Sequence, residues 1–257
     1  MKPLASALLT LAVLVAAWAL YVDLSGIEPF LLPGPLRVME TLLARHALIL
    51  EHLGTTALEI VLGLLLGTAI GCASALLVHS LPLARRFGLP VLIASQALPV
   101  FALAPLLVLW LGYGIWSKVA MATLIIFFPV TTAFLDGLRR TDPGWIELAR
   151  TMDAGRLALI WRIRIPAALP ALGSGLRVAA GVAPIGAVVG EWVGSSAGLG
   201  YLMLHANARM QIDLMFAALF VLALFAVLLW LAVDRLLRLA LPWQPDSFAS
   251  DQGEPKR

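Results

Sequence analysis

Residues 147–170 read ELARTMDAGRLALIWRIRIPAALP. Arg150, Arg156, Arg162 and Arg164 stand in this one run with Glu147 and Asp153, although the chain is 61% hydrophobic and only 13% charged. Soluble domains carry about 25% charged residues. A mean hydropathy of +0.95 over 257 residues calls for a bilayer rather than an aqueous core. The charged run is therefore expected to face water between membrane helices. Asp142-Pro143 makes a helix start, with Asp as N-cap and Pro in the first turn. That helix would reach about Asp153, with Gly155 as its breaker, and a second would run from Arg156 until Pro166 and Pro170 intervene. On charge alone, such a basic knob could meet anionic lipid headgroups or a soluble partner.

Working outward, a spanning helix needs about 20 mostly apolar residues. Leu4–Val22, Ile60–Val78, Leu89–Leu111, Val119–Leu135 and Leu214–Val233 are expected spans. Leu176–Val193 is a weaker sixth, with Arg177 at its edge and Glu191 inside it. The first run follows Lys2 and has no A-x-A cleavage site before Asp23, so it is expected to be retained rather than cleaved. With six spans and an internal N-terminus, only Arg37, Arg45, Lys118 and Arg209 fall outside, and the other 14 of the 18 Lys and Arg residues fall inside. That split places both termini and residues 147–170 in the cytoplasm. It also explains the net charge of +3 without nucleic acid.

The segment Leu36–Leu53 mixes apolar and charged positions and is expected to form an amphipathic helix on the outer surface. Gly63, Gly67 and Gly71 form a GxxxGxxxG ladder for close helix packing, within one subunit or at a dimer seam. Pro90, Pro99 and Pro105, around Gln96, should bend the third span, as prolines do in helices that line a cavity. Glu191 admits three readings: a solvated carboxylate at the outer interface, a gate group hydrogen-bonding the Ser195-Ser196 turn, or a substrate contact.

No phosphate-binding loop occurs, so any ATP must bind another chain. His46, His52, His79 and His205 are scattered, so no metal site is expected. Gly194–Gly198 fits G-x-S-x-G, but it follows a membrane helix instead of a strand, and a Gly/Ser turn is the expected role. No catalytic residue is assigned. No internal repeat supports an inverted-repeat secondary transporter.

The loop resembles that of binding-protein-dependent ABC importer permeases, whose pattern is E-A-A, a glycine four residues on, then I-x-L-P. Glu147-Leu148-Ala149 matches the start and Ile163-Arg164-Ile165-Pro166 the end, at the family's spacing. Leu148 replaces the first alanine, and Asp153 stands where the family has glycine, with Gly155 two residues later. PAALPALGSGLRVAAG and GEWVGSSAGLGYLM resemble the branch of nitrate, sulfonate and taurine permeases. APLLVLWLGYG, FFPVTTAFLDGLRR and APIGAVVGEWVG look most like permeases for pyrimidine thiamine precursors.

The resemblance implies an all-α, six-span type I importer permease of the bacterial inner membrane, working as a homodimer in contact with membrane lipid. It implies Glu147, Ala149, Asp153, Gly155, Ile163 and Pro166 as the loop that docks on a separate ATP-binding subunit. A periplasmic or lipid-anchored solute-binding protein would deliver a small polar solute, and ATP and Mg would bind the partner ATPase. The expected organisation is 1–52 for the first helix, outer loop and amphipathic segment. The permease domain is 53–237 with its coupling loop at 137–172, and 238–257 is a disordered cytoplasmic tail. A secondary transporter is the alternative function, and an intramembrane serine hydrolase a more distant one.

Overall fold

The computed structural model describes residues 2–243, apart from the side chains of residues 2–5, 7–8 and 96–97. Every regular element among them is helical. The chain runs through α1 (Lys2–Ser25), α2 (Pro35–Ala44), α3 (His46–Ser80) and α4 (Pro82–Ala97). A 3-10 turn (Val100–Leu103) leads to α5 (Ala104–Leu111), α6 (Ile115–Arg139), α7 (Pro143–Thr151) and the short α8 (Arg156–Leu159). A π-helical turn (Ile160–Arg164) then joins α9 (Ile165–Gly194), and α10 (Leu199–Ala208) and α11 (Ile212–Ala240) follow.

Four helical stretches among the described residues are long and apolar enough to cross a membrane: His46–Ser80, Ile115–Arg139, Arg156–Gly194 and Ile212–Ala240. A broken pair, Pro82–Ser95 with Val100–Leu111, brings the total to five at most, against the six expected. The first expected span falls in α1, whose described apolar part is only Leu9–Ser25. The break in the expected third span has a local cause. Pro99 has no N–H and forces its predecessor out of helical geometry, so Leu98 is extended at φ −82°, ψ 121°. Pro105 lies in the first turn of α5, where a missing N–H costs nothing. Pro90, expected to bend the span as well, stays inside α4 without interrupting it.

Pro166 and Pro170 do not stop the helix, contrary to the sequence expectation. A proline at 166 cannot bond back to the Arg162 carbonyl. The backbone widens just before it, and the Ile165 N–H bonds to the Ile160 carbonyl five residues back. The weak sixth run is consequently the end of a stretch that is helical from Arg156 to Gly194.

The chain divides into two compact units. The first comprises Met1–Leu62, Leu103–Ala122 and Pro184–Ala226. Its core gathers Val38, Ile49, Leu199, Leu202, Leu214 and Leu222, with Trp18 stacked on Phe216 at 5.9 Å. The expected surface helix over Leu36–Leu53 is not what forms. Helix α2 ends at Ala44, α3 starts at His46, and Val38 and Ile49 point into this core.

The second unit comprises Gly63–Ala102, Thr123–Ala183 and Val227–Arg257. Ala75, Val78, Phe134, Leu135, Leu138 and Ala168 make its core. Helix α6 closes on the glycine ladder: a Cβ on Gly67 would lie 2.7 Å from Ile126 Cγ2, and one on Gly71 3.0 Å from Val130 Cγ1. Backbones approach this closely only where side chains are absent, which is how small residues pack helices in lipid. Gly63 is buried on the same helix. Arg177 on α9 meets Asp234 on α11 at 2.6 Å, and Arg238 bonds the other oxygen at 2.8 Å. Helix α11 continues to Ala240 and Leu241 is buried, whereas residues 244–257 of the expected tail lie outside the described residues.

Candidate functional site

Two places concentrate the polar chemistry, one in each unit. The first is the loop at 143–166. Asp142 caps α7 by accepting a bond from the Gly144 N–H at 2.7 Å. At the other end, the Asp153 N–H bonds to the Arg150 carbonyl and the Ala154 N–H to the Ala149 carbonyl, both at 3.0 Å. This is a Schellman ending, which needs a left-handed residue at the position after the cap. That residue is Asp153, at φ 57°.

Asp153 thus adopts the left-handed conformation that glycine takes most easily, and Asp is among the side chains that tolerate it. Gly155 does not break α7; it has φ −65° and starts α8. Asp153→Gly should relieve about 1 kcal/mol of backbone strain and raise thermal stability with uptake intact. Asp153→Val should cost about 1–2 kcal/mol and lower uptake, measured on the same preparations.

The loop presents apolar surface. Trp145, Leu148 and Met152 are 57%, 63% and 75% exposed. With Ile163, Pro166 and Trp243 they line a groove of about 510 Å³. Ala149 is buried beneath it, and Glu147 is exposed on α7. An exposed apolar groove rimmed by charge is the form of a protein-docking surface.

The second place is a buried polar cluster in the first unit. Glu191, on α9, is 1% exposed, which removes the reading of a solvated interfacial carboxylate. Its Oε1 accepts the Thr56 hydroxyl at 2.6 Å, and its Oε2 accepts the Gly200 N–H at 2.5 Å and the Tyr201 N–H at 3.3 Å. Thr56 Oγ1 accepts the Leu199 N–H at 2.7 Å, and His52 Nδ1 accepts the Gly198 N–H at 3.0 Å. The opening N–H groups of α10, which no helix can satisfy internally, are thereby all held by side chains of α3 and α9. Gly198 must be glycine twice over: its φ is 108°, and a Cβ would sit 2.2 Å from Glu191 Cδ.

Lys118, on α6, is equally buried at 1% exposure. Its ammonium donates to the carbonyls of Tyr113, Gly114 and Gly194, so its three protons close the turn before α6 and the end of α9. Glu59 on α3, also 1% exposed, is an electrostatic neighbour of both Glu191 and Lys118. Its Oε2 is buried without a hydrogen-bond partner. One ammonium and two carboxyl groups thus share a site away from water.

The structure therefore brings Glu191 together with residues the sequence reading did not single out: Thr56, Glu59, Lys118 and His52. The Ser195 hydroxyl donates no bond to the Glu191 carboxylate. It donates to the Ala197 carbonyl at 2.6 Å, closing the turn before α10, and Ser196 is exposed. Pro99 and Pro105 lie at the break after α4, and the side chain of Gln96 lies outside the described residues.

The family described as binding-protein-dependent transport system inner membrane component matches residues 59–243. A probable ABC transporter permease protein of Haemophilus influenzae is 53% identical, the match covering 90% of this chain and 94% of that one. The formylaminopyrimidine transport permease protein ThiX of Halalkalibacterium halodurans is 40% identical, over 90% and 92%. The taurine transport system permease protein TauC of Escherichia coli is 31% identical, over 91% and 88%. Among solved structures, an inward-facing MetNI methionine ABC transporter chain superposes with a TM-score of 0.66 at 19% identity, covering 76% of this chain and 97% of that one.

Proposed function

This chain belongs to the binding-protein-dependent transport system inner membrane components, and from that premise we propose how it works, what it carries and how it is oriented. It is the permease subunit of an ABC importer, a multi-pass inner-membrane protein with the type I importer permease fold, and it is not itself catalytic. Such a system includes an ATP-binding subunit and a binding protein.

Two copies of the chain form the translocation path, each with six spans if α1 and the broken α4–α5 pair both cross. Both termini and the loop at 143–166 face the cytoplasm, where the loop docks on the ATP-binding subunit that holds ATP and Mg. The observation that carries this reading is the exposed Trp145–Leu148–Met152 groove on a rigidly capped α7. Glu147, Ala149, Asp153, Gly155, Ile163 and Pro166 shape that docking surface. Glu191 serves as a gate element by holding α10, and Pro99 and Pro105 shape the path.

The solute is a small pyrimidine of the thiamine-precursor type, supported by the 40% identity to the formylaminopyrimidine permease. A sulfonate, including taurine, or a nitrate-like anion is the second reading, supported by the taurine relative. A titration of the cognate binding protein with formylaminopyrimidine, taurine and nitrate separates them. Saturable binding of the pyrimidine alone is expected, and binding of taurine or nitrate alone would overturn the assignment.

Orientation has its own test. In a Cys72-free chain, Arg150→Cys in intact spheroplasts should resist a membrane-impermeant thiol reagent and react once the membrane is opened. Labelling in the intact spheroplasts would reverse the topology.

A further inference from the structure

Where α3 ends in the second unit, two neighbouring cavities share His79, Ser80 and Arg156. The first, about 420 Å³, is lined also by Arg150 and Arg164, and the second, about 450 Å³, by Arg85 and Arg86. Five guanidinium groups and an imidazole thus converge from α3, α4, α7, α8 and the π-helical turn, and among the described residues no carboxylate lines either cavity. The ion pairs among the described residues are Arg37–Asp213, Arg177–Asp234 and Arg238–Asp234, so these five arginines are neutralised by none of them.

Part of the cluster is prearranged. Arg156 donates to the Ser80 carbonyl at the end of α3, and Arg164 donates to His79 Nε2. Like charges held this close repel one another unless an anion joins them. A phosphate is the anion whose geometry guanidinium forks match.

The surroundings are apolar. Leu81, Leu83 and Phe87 are 48%, 71% and 61% exposed beside Arg85 and Arg86, and the Arg86 guanidinium lies 5.8 Å from the Phe87 ring centre. Clustered guanidinium groups next to exposed apolar side chains, at the end of a membrane helix, match an amphiphile better than an acidic protein surface. We propose that the paired cavities at His79, Arg85, Arg86, Arg150, Arg156 and Arg164 bind the headgroup phosphate of an anionic phospholipid, with its acyl chains along Leu81, Leu83 and Phe87. Bound there, the lipid bridges α4 to the loop that carries Arg150 and Arg156. The site stands apart from the readings of substrate and orientation, since phospholipid headgroups line both faces of the membrane.

Native mass spectrometry of the full-length, delipidated permease titrated with phosphatidylglycerol or phosphatidylcholine tests this. The wild-type chain should retain phosphatidylglycerol in clear preference to phosphatidylcholine. Arg85→Gln with Arg156→Gln should weaken phosphatidylglycerol binding about thirtyfold. Arg235→Gln, an exposed arginine of α11 outside the cavities, should leave it unchanged. Monodisperse elution of each variant shows that it is folded, and Arg85→Gln alone, at an exposed position on α4, should weaken binding in the same direction. Equal retention of the two lipids, no effect of the double substitution, or an equal loss in Arg235→Gln would overturn the proposal. So would displacement of the lipid by excess inorganic phosphate, which would make the ligand a free anion. Displacement by the ATP-binding subunit would make the arginines part of a protein interface instead.

Discussion

Glu191→Ala should leave a permease that inserts poorly or unfolds at a much lower temperature than the wild type. The substitution strips the Gly200 and Tyr201 N–H groups of their acceptor and the Thr56 hydroxyl of its partner. Leaving a buried donor without its acceptor costs about 1–3 kcal/mol, and three such donors amount to a large share of the stability of an ordinary domain. Glu191→Gln retains the shape and one acceptor oxygen, so it should reach the membrane and keep most of its thermal stability. It should nevertheless reduce uptake and change how the binding protein stimulates ATP hydrolysis, because α10 is then held without its charge. Thermal unfolding in detergent, paired with uptake, separates the two effects. Wild-type stability of Glu191→Ala would show that the cluster does not hold α10. Wild-type uptake and stimulation in Glu191→Gln would remove the gate reading.

The second large effect is expected at the loop at 143–166, where we propose that the ATP-binding subunit docks. Glu147→Arg reverses an exposed charge on α7 without touching the buried Ala149 below. It should abolish uptake at normal membrane levels of the permease. Trp145→Ala removes a large exposed aromatic from the groove. Aromatic anchors at protein interfaces are worth about 2 kcal/mol or more, so the affinity for the ATP-binding subunit should fall about thirtyfold or further. Co-purification of that subunit with the permease measures it. Undiminished co-purification by both variants would place the docking surface elsewhere.

Much of this was legible in the residues, and what was not had particular physical reasons. Apolar runs and the charged loop located the long helices, because a bilayer demands both. The prolines were read correctly at Leu98-Pro99, where the chain breaks, and incorrectly at Pro166, where a π-helical turn absorbs the missing N–H. Asp153 was visible as a departure from a glycine pattern, but its left-handed backbone was not. Lys118 looked like an ordinary exposed charge, because its acceptors are backbone carbonyls and one of them, at Gly194, is remote in sequence. Glu59 fell just outside an expected span. Two acids and a lysine in or beside three different apolar runs were the available signal of a buried cluster. Pairing them required knowing which helices meet.

The most direct measurement is uptake by proteoliposomes holding the full chain with its ATP-binding subunit, supplied with the binding protein and labelled formylaminopyrimidine. With ATP on the ATP-binding subunit's side and an uncoupler present, solute should accumulate in the direction of import, and Glu147→Arg should stop it. Accumulation without ATP that disappears when the proton gradient is collapsed would contradict ATP-driven import through this chain.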